Sequence, residues 1–198
     1  MLPKNQSAEV RRFLMRMTWA LAFGALLWAA SPAETLAAQR TSTAPKEGDM
    51  AVSANLGFSS SFDDNFGGVE PLLTGTFEYY STPRVSWRAL LGTTSFDADN
   101  PSDAEVDVMF INGNISYNWE QGTVHPYVTG GIGFYNKDAD ASLPPDADDD
   151  ELGLNFGGGV DWFLGARWAL KFEGTLHILG GDDPDNFILG SVGAKWWF

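Results

Sequence analysis

From Asp49 onward, apolar and polar residues alternate with a period of two in eight successive segments. In the first, Met50 to Phe62, one parity holds Met50, Val52, Ala54, Leu56 and Phe58 and the other Ala51, Ser53, Asn55, Gly57 and Ser59. The second, Val69 to Tyr80, sets Leu73, Phe77 and Tyr79 against Glu70, Thr74, Thr76 and Glu78. The third, Arg84 to Ser95, sets Val85, Trp87, Ala89 and Leu91 against Ser86, Arg88, Gly92 and Thr94. Val106 to Trp119, Val124 to Tyr135, Leu152 to Leu164, Trp168 to Ile178 and Phe187 to Phe198 repeat the pattern. Successive side chains of a strand point to opposite faces, so each segment is predicted as a β-strand with one apolar face. A strand tilted across a bilayer needs ~9–11 residues, whereas a soluble strand averages ~5–6. Segments of this length therefore suit a membrane.

The connections come in two kinds. Those after the second, fourth and sixth segments are short, as at Ser81-Thr82-Pro83 and Glu120-Gln121-Gly122-Thr123. Those after the first, third, fifth and seventh are longer and acidic: Asp63 to Gly68, Phe96 to Glu105, Asn136 to Asp150 and Leu179 to Asn186. An even strand count, short turns on one side and long loops on the other is the layout of an outer-membrane barrel of Gram-negative bacteria. The predicted fold is an all-β, eight-stranded, antiparallel, up-and-down transmembrane β-barrel. Both termini then lie in the periplasm and the acidic loops outside the cell.

A soluble eight-stranded barrel is the rival, with its apolar face turned inward. Aromatic and charged positions separate the two. Trp87, Tyr117, Trp119, Trp162, Trp168, Trp196 and Phe198 fall on the apolar parity near the short-turn ends, where an interfacial girdle belongs. Glu78, Arg88, Asp161, Lys171, Glu173 and Lys195 fall mid-strand on the other parity. The membrane barrel is favoured. Its interior is only wide enough for side chains to fill, so these three acids and three bases are expected to pair and plug the lumen. Tyr127, Phe163 and Trp197 share the inward parity and would fill the remaining space. Six separately hydrated charges in an open lumen is the alternative.

The N-terminus changes the domain picture. Arg11, Arg12 and Arg16 precede an uncharged apolar run from Met17 to Ala30, followed by small residues to Ala38. A basic region, a short apolar stretch and a small-residue end are expected to form a cleavable signal peptide over residues 1–38. Residues 39–48 are expected to be a periplasmic lead-in, of which Gln39 to Lys46, rich in Thr, Ser and Pro, is disordered, and 49–198 the barrel domain. The chain has no Cys, which excludes disulfides and thiolate metal sites. Its net charge of -14 argues against a nucleic-acid partner.

Candidate chemistry is sparse. Gly130-Gly131 with Gly133, and Gly157 to Gly159, sit inside strands without the helix and Lys-Ser/Thr of a phosphate loop. They read as packing glycines of a narrow barrel. His125 and His177 lie towards opposite rims, and no nucleophile and base are placed to act together, so no enzyme and no cofactor is expected. Asp138, Asp140, Asp148 and Asp150 are weak divalent-cation candidates in the third loop, with hard oxygen ligands but no EF-hand spacing. Solvated surface charge is the simpler reading. Bridging through a cation to lipopolysaccharide is the functional one.

Pro126-Tyr127-Val128-Thr129-Gly130-Gly131-Ile132-Gly133-Phe134-Tyr135 resembles the fifth strand of the small outer-membrane β-barrel proteins. These include OmpA-type transmembrane domains, OmpX and the opacity-type surface antigens. Phe156-Gly157-Gly158-Gly159-Val160-Asp161-Trp162 is similar to their next strand and Gly193-Ala194-Lys195-Trp196-Trp197-Phe198 to their end. The resemblance implies that Phe198 is part of the signal read by periplasmic chaperones and the barrel-assembly machinery. It implies a monomer in outer-membrane lipid with a structural or surface role in envelope integrity or adhesion. The alternative is a narrow channel, or a transporter of small hydrophobic molecules as in OmpW-like barrels.

Overall fold

The computed structural model describes residues 45–62, 66–67, 69–98, 105–119, 122–139, 150–180 and 186–198. The expected signal peptide, the lead-in to residue 44 and most loop carboxylates, Asp140 and Asp148 among them, lie outside the described residues. Eight long strands form the structure: β1 Met50–Ser61, β2 Glu70–Tyr80, β3 Val85–Ala98, β4 Glu105–Asn118, β5 Val124–Ala139, β6 Asp150–Phe163, β7 Trp168–Leu179 and β8 Phe187–Trp197. A two-residue strand, Phe66–Gly67, adds to the loop end of β3. Every long strand pairs antiparallel with its chain neighbours, and β1 pairs with β8, so the sheet closes on itself. Every strand edge is thereby satisfied without water, as a bilayer requires.

Register sets the barrel's shape. Paired residues lead from Ala51 through Glu78, Arg88, Asn114, Gly131, Asn155, His177 and Phe187 back to β1 at Ser61. The circuit returns at position 61 from position 51, a shear of ten residues for eight strands. With ordinary strand rise and spacing this tilts the strands ~40° from the axis.

The outward face is that of a lipid-solvated body. Leu56, Ile132 and Leu152 are 67%, 67% and 72% exposed, and Trp87, Tyr117, Trp119, Trp162 and Trp168 are exposed near the short turns. Trp196 shares their parity but is buried, because Trp168 and Phe198 flank it at ring distances of 6.1 and 5.3 Å. Inward side chains are buried almost without interruption, polar ones included.

Strand ends at the loop side differ from the sequence reading: β3 was expected to stop at Ser95 and runs to Ala98. The third loop was expected to begin at Asn136, yet β5 continues to Ala139 and β6 starts at Asp150. Asn136 opposite Asp150 donates to its carboxylate at 2.7 Å, and Lys137 pairs with Glu151 at 2.7 Å, so polar cross-strand pairs carry the ladder past its apolar part. Ahead of β1 the chain makes a turn in which Gly48, at φ 86°, donates to the Tyr80 carbonyl at 2.8 Å and ties the chain to the barrel base.

Candidate functional site: a filled lumen

The lumen is filled in layers, beginning at the short-turn end. There Ala51, Tyr80, Phe163, Ala169 and Trp197 make an apolar floor. Phe163 packs on Trp197 and on His125, both at 4.6 Å between ring centroids.

Above the floor lie all six mid-strand charges. The shear brings them together: neighbouring strands are offset by a little more than one residue, so distant sequence positions reach one height. Glu78 stands opposite Arg88 across β2–β3, and Asp161 opposite Lys171 across β6–β7. All six are at most 8% exposed. They divide into two clusters, each built on one hub. Lys195 Nζ reaches Glu78 at 2.5 Å and Asp161 at 2.7 Å, and donates to the Tyr80 hydroxyl at 2.9 Å. Ser86 donates a second hydrogen bond to Glu78. Glu173 receives Arg88 at 2.6 Å, Lys171 at 3.1 Å and the Tyr127 hydroxyl at 2.7 Å. Arg88 Nη2 and Lys171 Nζ contact Glu173 at charge-pairing distance without hydrogen-bond alignment. The first cluster holds two acids and one base, the second two bases and one acid. Neither is neutral alone. Together they balance, and the cross-strand pairs Glu78–Arg88 and Asp161–Lys171 join them.

The next layer is made of amides and hydroxyls. Asn55 donates to Thr74 at 3.0 Å, Ser116 to Thr129 at 2.9 Å, and Asn114 to Asn155. Inward glycines make room for them. Asn112 faces Gly133 and Asn114 faces Gly131 across β4–β5, and a Cβ on either glycine would run into the asparagine opposite.

An apolar cap closes the loop end: Leu72, Leu90, Phe96, Val106, Val108, Phe110, Leu179, Phe187 and Leu189. His177 is stacked on Phe187 at 4.8 Å and 10°, its Nδ1 bonded to the Tyr135 hydroxyl at 2.7 Å. Both histidines thus serve packing, one in the floor and one in the cap. A cavity of about 20 Å³ remains among Phe96, Val106, Val108 and Phe187 beside Lys137, room for about one water. The cap escaped the sequence reading, although the run Val108-Met109-Phe110-Ile111 breaks the alternation and marks apolar residues on both faces.

Of the cation candidates, Asp138 stands opposite Asp107 and Asp150 opposite Asn136. Among the described residues no group of three or more His, Asp or Glu is placed to hold a metal ion. Phe198 closes the base: its N–H donates to the Met50 carbonyl at 3.0 Å, and its ring is half exposed on the lipid side.

No curated protein matches the sequence. Solved structures share the fold. The outer membrane protein OprG from Pseudomonas aeruginosa is similar at a TM-score of 0.59, 12% identity, over 79% of this chain and 98% of that one. Neisserial surface protein A is similar at 0.58 and 14% identity, over 76% and 98%. Ail, the attachment invasion locus protein of Yersinia pestis, is similar at 0.53 and 12% identity, over 77% and 99%. The family model described as the outer membrane protein beta-barrel domain matches residues 23–196. A closed eight-stranded barrel with an apolar exterior, matched over most of its length, belongs to that family and resides in the bacterial outer membrane.

Proposed function

We propose that this protein is a structural or surface-interaction barrel whose lumen is plugged, serving envelope integrity or adhesion rather than conduction. The observation that carries the reading is the continuous filling from the Trp197 floor through the paired charges to the Phe187 cap. A pore would have to open all of these layers. The chain is exported by the signal peptide of residues 1–38 and inserted with the help of chaperones and the assembly machinery, which read Phe198. Both termini and the short turns face the periplasm, and the acidic loops face outward, in reach of lipopolysaccharide or a host surface. Both histidines are taken up in packing, His125 against Phe163 and His177 against Phe187, which supports a non-catalytic role.

Transport of small hydrophobic molecules is the second reading, favoured by the apolar lining of the loop-side cavity. Its volume of about 20 Å³ admits no such molecule without rearrangement of the cap. Purified protein in a planar bilayer tests the choice. The plugged reading expects no stable unitary conductance in the wild type. Steady single-channel steps would overturn it.

A further inference from the structure

The lipid face is not uniformly bulky. On three adjacent strands Ala89, Gly113 and Gly130 point outward, Ala89 opposite Gly113 and Gly130 opposite Ile115. They floor an open trough of about 580 Å³, walled by Phe77, Trp87 and Ile132. Packing within the chain does not require Gly here: a Cβ on Gly113 meets nothing within 4 Å, and one on Gly130 makes only ordinary contacts at 3.6 and 3.9 Å. Lumen-facing glycines behave in the opposite way, since a Cβ on Gly131 would come within 2.8 Å of Asn114. Elsewhere on the outer wall the outward glycines differ: the Phe58 ring lies over Gly190, whereas a Cβ on Gly174 would meet only the Leu189 carbonyl at 3.9 Å. Arg88 and Asn114, also along the trough, are buried with inward side chains and present only backbone to it. The surface is therefore concave, apolar and without charge.

We infer that this trough seats one acyl chain of a phospholipid in the leaflet on the short-turn side. The trough is continuous with the lipid-facing surface of a membrane barrel, so its occupant is drawn from the bilayer. Its volume is of the order of one long acyl chain, which is thin and flexible enough to lie against exposed backbone. Trp87 lies beside the Ser81–Arg84 turn and belongs to the interfacial girdle, which puts the headgroup at that end. The lipid class rests on the orientation proposed above, in which the short-turn side faces the periplasm and its leaflet is phospholipid.

The test uses protein extracted directly from the outer membrane in mild detergent, with bound lipid counted and identified by native mass spectrometry. Wild type is expected to retain one phospholipid per barrel. Gly113→Leu and Gly130→Leu fill the trough and should each lose it. Ala194→Leu, a lipid-facing change on β8, should keep it. Heat-modifiable mobility on gels verifies that each variant is folded. Equal phospholipid retention in both trough variants and wild type overturns the site. Retained lipopolysaccharide that the variants lose overturns the leaflet assignment and the orientation with it. A dimer that appears with concentration and vanishes in Gly113→Leu assigns the trough to a second copy and overturns the lipid.

Discussion

Lys195 and Glu173 each hold two opposite charges, whereas Lys171 holds one that is shared. This asymmetry ranks substitutions. Lys195→Met strands Glu78 and Asp161 together in the lumen and should cost about 3–5 kcal/mol, the range for breaking a buried pair. Lys171→Met leaves Arg88 with Glu173 and should cost clearly less. Urea titration of both variants in lipid vesicles checks the order, and equal costs would show that the two clusters behave as one pool. Glycine tells a second story at this scale. A Cβ on Gly157 would fall 2.6 Å from the Thr175 side chain and into the Gly174 carbonyl. Gly157→Ala should therefore destabilise by about 1–3 kcal/mol, the usual cost of overpacking, in the same titration.

Among the elements, β6 shows both faces of the design at adjacent positions. Leu154 is 58% exposed to lipid, while Asn155 beside it is buried and bonded to Asn114. Leu154→Arg should cost ~2–4 kcal/mol where it lies near the midplane, and markedly less in a detergent micelle than in a bilayer. Alternation of this kind was legible in the sequence because each strand's period-two pattern is local. Glu78, Arg88 and Lys195 could be assigned inward from parity alone. Their partners could not, because Lys195 meets Glu78 and Asp161 from strands far apart in the chain, and only the registers between strands fix that meeting. The cap was missed for a different reason. Leu72, Leu90 and Phe110 are apolar residues on a parity read as polar, and averaging over each strand hid them. The strand end beyond Asn136 was missed because polar cross-strand pairs sustain a ladder that hydrophobic periodicity does not record.

The whole molecule depends on β8, which pairs with β7 on one side and β1 on the other. Phe198 extends that seam by its hydrogen bond to Met50. Deleting Phe198 should lower the yield of folded protein in the outer membrane several-fold, read as the heat-modifiable band, because the proposed assembly signal is lost together with the end of the seam. An unchanged yield would count against its role. Seven of the eight pairings join strands that follow one another in the chain and can form as local hairpins. The eighth joins Ala51 to Trp197 and Ser61 to Phe187 across nearly the whole domain. Its loop-closure entropy must be met before any of its hydrogen bonds form, which makes it the natural last and slowest step. Until then β1 and β8 both carry unpaired backbone, and the chain is a curled sheet with two adhesive margins. The interval before closure is the time in which the chain is most open to mispairing with another copy, and so the time in which the proposed chaperones would matter most.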